Sequence, residues 1–274
     1  MKKIAVLSDI HGNFTALEAV VADLKERKVT EIWLLGDIFM PGPAVLEIVD
    51  LLKSLPLTIS IRGNWEDALF KRDWNINKEK DVYQARLAHY VLSKIDAETL
   101  AYIWNLPMNM ERKIDDLTFL LTHNMPKKNY GDELRIASAQ ENFDALLNTS
   151  QAQIAIYGHI HHQVMRYSTD NRLILNPGSV GNPYFYLESF KNNLCAQYMT
   201  LEIENSEIRD IQFHKVEYDR MLEISFAQEK KVPYFELYKE KLTIGRTNEL
   251  AAKKFALLNE KYGYVEEVKK YFNL

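Results

Sequence analysis

The sequence predicts an α/β protein, and three observations carry that prediction. Short apolar runs alternate with amphipathic stretches through the first sixty or so residues. The connections between them are short, as parallel βα units require. Polar residues able to bind metal follow the apolar runs at five separate places, where an α/β sheet presents its ligands.

In chain order, "KIAVLS" is a short apolar run closed by polar residues and reads as a buried strand. "NFTALEAVVADLKERK" follows with Phe14, Leu17, Val20, Val21 and Leu24 on one helical face. "EIWLLG" is a second strand, "AVLEIVDLLKSL" a second helix and "LTISIRG" a third strand. Residues 65–106 read as mainly helical, with "DVYQARLAHYVLSKI" the clearest helix, and are expected to form a lid or side subdomain. "MNMERKI" and "LTFLLTHN" are strands separated by a hairpin-like break at Asp115-Asp116. A helix around 138–149 leads into the strand "AQIAIYGHIH". "QVMRYS" and "RLILNPGS" are joined at Thr169-Asp170-Asn171, a tight turn. "NNLCAQYMTLEIEN" and "EIRDIQFHKV" alternate as half-exposed antiparallel strands do. From about 217 the pattern is helical, with "NELAAKKFALLNEKYG" and "VEEVKKYF" amphipathic. The expected division is a core over 1–216, with the insertion at about 65–106, and a helical extension over 217–274 packed on that core.

The chain has 274 residues, 47% of them hydrophobic and 26% charged, which is ordinary for a globular protein with a sizeable core. A net charge of −4 and no basic block argue against duplex nucleic acid as a partner. One cysteine excludes an internal disulfide framework and a cysteine-rich zinc site. The apolar run after Lys2-Lys3 is too short for a signal segment, and no stretch approaches a membrane span, so a cytoplasmic location is expected. A homo-oligomer is left open.

The residues after the strands carry the chemistry: Asp9 and His11, Asp37, Asn64, His123, then His159 and His161. Side chains two apart in a strand share a face, so Asp9/His11 and His159/His161 each have the spacing with which a pair can hold one ion together. Carboxylate, imidazole and amide donors without thiolate suit Mn, Fe, Zn, Co or Mg. Seven donors exceed what one tetrahedral ion needs, and two ions sharing Asp37 is the economical arrangement. A lone Asp after a strand is usually a turn or cap residue and a lone His is usually not a ligand. Five strand ends supplied alike are much harder to reach by accident.

The blocks "DIHG", "GD", "GNWE", "TH" and "GHIH", in that order, resemble the calcineurin-like metallophosphoesterase superfamily, and "LILNPGSVGNP" resembles its small bacterial phosphodiesterase/phosphatase branch. The resemblance covers roughly residues 1–216. It implies a four-layer α-β-β-α sandwich and a dinuclear site. One ion would take Asp9, His11, Asp37 and His161, and the other Asp37, Asn64, His123 and His159. The implied reaction is attack on phosphorus by a hydroxide that two divalent ions activate, with no protein nucleophile. Alternatives are a general phosphodiesterase or phosphomonoesterase, protein phosphatases included, and a non-catalytic scaffold.

One position departs from the pattern. The residue after the loop Asn is often His in the family and can protonate the leaving oxygen; here it is Trp65, whose indole cannot. Glu66 then has no His to orient, and Gly63 is expected to let the backbone turn. Without that acid, good leaving groups are favoured, such as nucleotide or dinucleoside polyphosphates. Arg62 is placed to meet phosphate or to form a structural ion pair. Tyr184, Phe185 and Tyr186 offer faces for a nucleobase or anchor their loop. Lys127 and Lys128 can meet a polyphosphate tail or simply be solvated. His162 is expected to point away from His161, His89 and His214 belong to no motif, and Cys195 is expected as a small buried strand residue.

Overall fold

The computed structural model describes residues 1–185, 187–190, 193–245 and 251–274. It contains two five-stranded mixed sheets, each with three strands paired parallel and two paired antiparallel. In the first sheet, β1 (Lys2–Leu7), β2 (Glu31–Leu34) and β3 (Leu57–Ser60) run parallel, as the alternating pattern predicts. Strand β9 (Ala196–Glu204) joins the free edge of β1 antiparallel, and β10 (Glu207–Val216) pairs with β9. The β9–β10 turn puts Asn205 and Ser206 at φ 50° and 62°, the left-handed pair of a tight hairpin. In the second sheet, β5 (Leu117–Thr122), β6 (Ile154–Tyr157) and β8 (Leu173–Pro177) are parallel. Strands β4 (Asn109–Ile114) and β7 (Gln163–Tyr167) close its two edges antiparallel.

Period-2 patterning sets the layers. Ile4, Val6, Trp33 and Ile59 of the first sheet meet Phe119, Leu121, Ile154 and Ile156 of the second, so the sheets pack face to face. The alternate residues Ala5, Leu7, Ile32 and Leu34 turn outward onto α1 (Phe14–Glu26) and α2 (Leu46–Lys53). On the far side, Leu120, Ala155 and Tyr157 pack under Phe143 and Leu146 of α6 (Gln140–Leu147). The result is the four-layer sandwich.

The insertion consists of α3 (Asn64–Phe70), α4 (Glu79–Leu92) and α5 (Ala97–Trp104). The chain ends in α7 (Arg220–Glu229), α8 (Phe235–Ile244), α9 (Ala251–Tyr262) and α10 (Tyr264–Phe272). Helices α9 and α10 rest on α4, and α7 rests on α1. Insertion and C-terminal helices therefore share one apolar layer with the outer face of the first sheet. Its centre is aromatic: Tyr83 stacks on Phe255 with ring centroids 4.5 Å apart and meets Tyr234 at 4.7 Å. Polar ties reinforce the joint, since buried Glu223 of α7 accepts from Thr15 Oγ1 at 2.7 Å and from the Tyr238 hydroxyl at 2.7 Å. Among the described residues, no helix is long and apolar enough to cross a membrane.

Some expectations need adjustment or fall outside this description. Cys195 lies one residue before β9 and is only half-buried, because the strand begins where the backbone pairs with β10. His214 does lie in β10, stacked on Tyr198 at 4.5 Å with Nε2 2.8 Å from Thr200 Oγ1. Tyr186, residue 192 and the start of the stretch over 248–263 lie outside the described residues.

Candidate metal centre

The candidate ligands converge at one edge of the sandwich, where the carboxyl ends of the parallel strands of both sheets meet. Main-chain hydrogen bonds join their loops. Asp9 N–H donates to Gly36 O at 3.0 Å, His11 N–H to Asp37 O at 2.9 Å and Gly12 N–H to Ile38 O at 2.9 Å. The loop after β8 supports the same stretch, since Ser179 Oγ at 2.8 Å and Gly181 N–H at 3.0 Å both donate to Asp9 O. Within the second sheet, Gly158 N–H after β6 donates to His123 O after β5 at 3.0 Å.

The side chains form two groups, Asp9, His11 and His161 in one and Asp37, His123 and His159 in the other, each with its ligand atoms within 4.8 Å of one another. Asn64 joins the second group, its Oδ1 3.2 Å from His123 Nε2. Asp37 Oδ2 stands between the groups, 3.3 Å from His123 Nε2 and 3.8 Å from His11 Nε2.

His159 and His161 therefore face different groups, divided as in the ligand sets that the resemblance implies, although their two-residue spacing alone allows them to share an ion. The same-face rule needs extended backbone, but β6 stops at Tyr157 and both histidines are left-handed, at φ 68° and 56°. Asp9, His11 and Asp37 are left-handed as well, at 56°, 53° and 55°. This conformation costs a non-glycine residue on the order of 1–3 kcal/mol and persists where surrounding contacts over-determine it.

The donor set fits cations. Nδ1–H of His11 donates to Met40 O, that of His123 to Leu35 O at 2.5 Å and that of His161 to Asn182 O at 2.6 Å. Each bond fixes the tautomer and leaves the Nε2 lone pair directed at the site. His159 is turned the other way, its Nε2 3.0 Å from Gly131 O, which leaves Nδ1 inward. Lone pairs then face one another: Nε2 of His11 and His161 are 3.0 Å apart, and His161 Nε2 is 3.1 Å from Asp9 Oδ1. Asp9 Oδ2 accepts from Ser8 Oγ at 2.5 Å and His159 N–H at 3.0 Å, whereas Oδ1 is buried with no hydrogen-bond partner among the described residues. Acceptors turned toward acceptors in a buried site are stable only around positive charge.

Electrostatics point the same way. Burial alone would raise both aspartates, but nearby histidines outweigh it: His161 holds Asp9 well below the usual range, and His123 lowers Asp37. Burial opposes charge on His123, yet Asp37 and Asp9 overcome it and raise its pKa to about 10. His159 is pushed down to about 4 by burial and by the charge of His123. His11 is lowered chiefly by burial.

Glu66 has a role that the sequence did not suggest. Fully buried, it accepts N–H bonds from Asp37, Ile38 and Gly63, each at 2.8 Å. Burial and the neighbouring Asp37 charge raise its pKa to about 7. It orients the Asp37 loop, so it needs no His beside it. Gly63 is extended, at φ −89° and ψ 178°, so no unusual turn demands glycine there. Close approach does, because a Cβ would lie 2.2 Å from Asp37 Oδ1.

Trp65 gives its main-chain N–H to Asp37 Oδ1 at 2.9 Å. Its indole is half-buried, edge-on to His11 at 6.2 Å on one side and to Tyr83 at 6.2 Å on the other. The aromatic layer of the insertion and C-terminal helices thus reaches a candidate ligand through one side chain.

The remaining candidates are dispersed. Arg62 is engaged structurally: its Nε lies 3.1 Å from Asp67 Oδ1, and its guanidinium donates to Trp104 O and lies over the Trp104 ring. Tyr184 lies beside the site, 5.8 Å from the ring of His161 and 4.6 Å from that of His162. Phe185 is 6.2 Å from His162 and packs on Phe190. Lys127 is exposed, and Lys128 pairs with Glu133. His89 stacks on Tyr271 of α10. Ser8 also went unnoticed in the sequence, although its place next to Asp9 was a signal. The carbonyls of Met40, Leu35, Gly131 and Asn182 could not have been found, because any residue supplies one.

Comparison with known proteins agrees with this geometry. Residues 1–206 match the model of the calcineurin-like phosphoesterase superfamily domain. An uncharacterised protein of Methanocaldococcus jannaschii is 29% identical over 196 residues, 66% of this chain and 76% of that protein. A metallophosphoesterase from Sphaerobacter thermophilus superposes with a TM-score of 0.66 at 28% identity, over 89% of this chain and 100% of that one. A hypothetical protein from Pyrococcus horikoshii shares the fold, with a TM-score of 0.72 at 20% identity over 90% of this chain and all of that one. The chain belongs to the calcineurin-like phosphoesterase superfamily and is a metal-dependent phosphoesterase.

Proposed function

We propose that the two groups hold two divalent ions, drawn from Mn, Fe, Zn or Co, with Asp37 as the shared ligand. The reaction is hydrolysis of small phosphorylated substrates with good leaving groups, nucleotide and dinucleoside polyphosphates foremost. The observation that carries the two-ion part is the position of Asp37 Oδ2 between His123 Nε2 at 3.3 Å and His11 Nε2 at 3.8 Å. Bound ions would supply an activated water and charge neutralisation on phosphoryl oxygens.

The protein's own groups do the remaining work. The Trp65 N–H holds Asp37 Oδ1 and leaves Oδ2 to the site. Glu66 fixes the peptide on either side of Asp37. The carbonyl-anchored histidines keep their lone pairs inward without reorganisation.

Trp65 supports the substrate class. Its indole fills the space beside His11 and cannot give up a proton near neutral pH. An alkoxide leaving group loses the ~10²–10⁴-fold help of a general acid. A phosphate leaving group, with a second pKa of roughly 6, does not need it. Tyr184, beside His161 and His162, is the proposed platform for a base.

The test is product analysis with Mn added, comparing dinucleoside polyphosphates with bis-aryl and cyclic diesters. P–O–P cleavage should dominate, and Asp37→Asn should abolish it. An Asp37→Asn variant as active as wild type would sink the shared-ligand mechanism, and equal rates on unactivated diesters would make the enzyme a general phosphodiesterase. A leaving-group series adds a second check. Wild type should depend steeply on leaving-group pKa and Trp65→His less so; a shallow slope unchanged by the substitution contradicts the role given to Trp65.

A further inference from the structure

The loop between β5 and α6 supports the second ligand group at two points. His123 opens it. Further along, Gly131 O lies 3.0 Å from His159 Nε2 and so turns Nδ1 of that ring inward. Asn124, fully buried, donates Nδ2–H to the same carbonyl at 3.4 Å. Gly131 sits at φ 113°, a backbone conformation that favours glycine, so the loop reaches His159 by a restricted route.

One side chain of this loop crosses the sandwich. Asn129 is 1% exposed and donates Nδ2–H to Asp67 Oδ2 at 2.8 Å. Asp67 lies in the first turn of α3, which begins at Asn64, and its Oδ1 is 3.1 Å from Arg62 Nε. The carboxylate is therefore held from both sides. The two partners belong to different halves of the molecule, since α3 follows β3 of the first sheet and the loop follows β5 of the second. The second group is divided in the same way: Asp37 and Asn64 come from the first half, His123 and His159 from the other. His123 is fixed to Leu35 O on its own account. Asn64 and His159 are the ligands whose supports meet at Asn129. The first group has separate ties across the halves, from Ser179 Oγ and Gly181 N–H to Asp9 O.

We propose that Asn129 is a positioning residue. Its bond to Asp67 sets the distance between Asn64 and the Gly131 carbonyl that aims His159, and so the affinity of the second group for its ion. The proposal rests on the two-ion reading given above. The chemistry suits the role. A hydrogen bond to a carboxylate is about twice as strong as one between neutral groups. A buried amide that loses its partner has no ready substitute, so the bond holds the loop in one place.

The test is calorimetric titration of the metal-free full chain with Mn, with His159→Ala and His161→Ala identifying the second-group and first-group steps. Wild type should show two binding steps. Asn129→Ala should weaken the His159-dependent step about tenfold and leave the His161-dependent step unchanged. Exchanging the partners gives a second check. Asn129→Asp sets two carboxylates against each other and should weaken the same step. Adding Asp67→Asn to it restores an amide–carboxylate bond with the roles reversed and should recover the affinity, whereas Asp67→Asn alone keeps an acceptor and should change it little. If Asn129→Ala does not fold, recovery in the exchanged pair decides alone. Equal weakening of both steps, no weakening of the His159-dependent step, or no recovery on exchange each overturns the role of Asn129. A single Mn step in wild type instead overturns the two-ion reading, and this proposal with it.

Discussion

Replacing Gly63 with alanine should disable the metal centre without unfolding the protein. Alanine adopts φ −89° and ψ 178° freely, so the backbone itself raises no objection. The added methyl meets Asp37 Oδ1 at 2.2 Å and Asp37 N at 2.5 Å. Ordinary carbon contacts begin near 3.5 Å, so Asp37 or the Gly63 strand end must move by about 1 Å. Movement of Asp37 weakens the 2.9 Å bond from Trp65 N–H, and movement of Gly63 weakens its 2.8 Å bond to Glu66. Overpacking of this kind costs about 1–3 kcal/mol of stability. A displacement of that size at a positioning group costs on the order of 10²-fold in rate. Urea unfolding of the metal-free protein reads the first quantity, and Mn titration with kcat/KM on an aryl phosphate reads the second. A variant with wild-type Mn affinity and activity within a few-fold would show that the close approach at Gly63 is not what sets Asp37.

Other predictions follow from neighbouring features. Glu66→Gln turns one of its oxygens into an NH₂ group, which leaves a buried N–H of the Asp37 loop unpaired; urea titration at pH 8 should show a loss of about 2–3 kcal/mol, with weaker Mn binding. Tyr83→Ala removes the ring shared by Trp65, Phe255 and Tyr234 and should cost about 3–5 kcal/mol, while KM rises as Trp65 loosens. His214 is pushed from 6.5 to about 4, chiefly by burial. The unfolded chain binds the proton more readily, so His214 contributes stability in full above about pH 6.5, and that contribution is lost as pH falls toward 4. On this edge strand, solvent screening limits the effect to about 1 kcal/mol; His214→Gln should flatten the urea midpoint between pH 7 and 5 by that amount, and an unchanged slope would contradict it. Chelator added to protein held at a hundredfold excess of free metal over Kd should remove about 2.7 kcal/mol of stability, read as a fall in Tm.

Much of the fold was legible because it rests on local periodicity. The alternation of Ile4 and Val6 with Ala5 and Leu7 states a strand buried on both faces, and the spacing of Leu17, Val20, Val21 and Leu24 states a helix lying on it. Asp9, His11, Asp37, Asn64, His123, His159 and His161 were legible because strand ends are where an α/β sheet brings side chains together. Their apportionment was not legible in the spacing and came only from the family resemblance. Extended geometry assigns His159 and His161 to one ion, and only the left-handed backbone after Tyr157 separates them. Glu66 was misjudged for a related reason: its partners are main-chain N–H groups, which a sequence does not display.

By itself, the sequence determined the strand–helix alternation and the candidate ligands at the strand ends, while the layer order and the missing acid at Trp65 were expectations carried by the family resemblance. These depend on residue type and on spacing along the chain. Tertiary structure decided that His159 and His161 face different groups despite their spacing, why residue 63 must be glycine, and that Arg62 is held by Asp67 and Trp104. Those facts depend on distances between segments remote in sequence, set by how the two sheets and the shared helical layer pack.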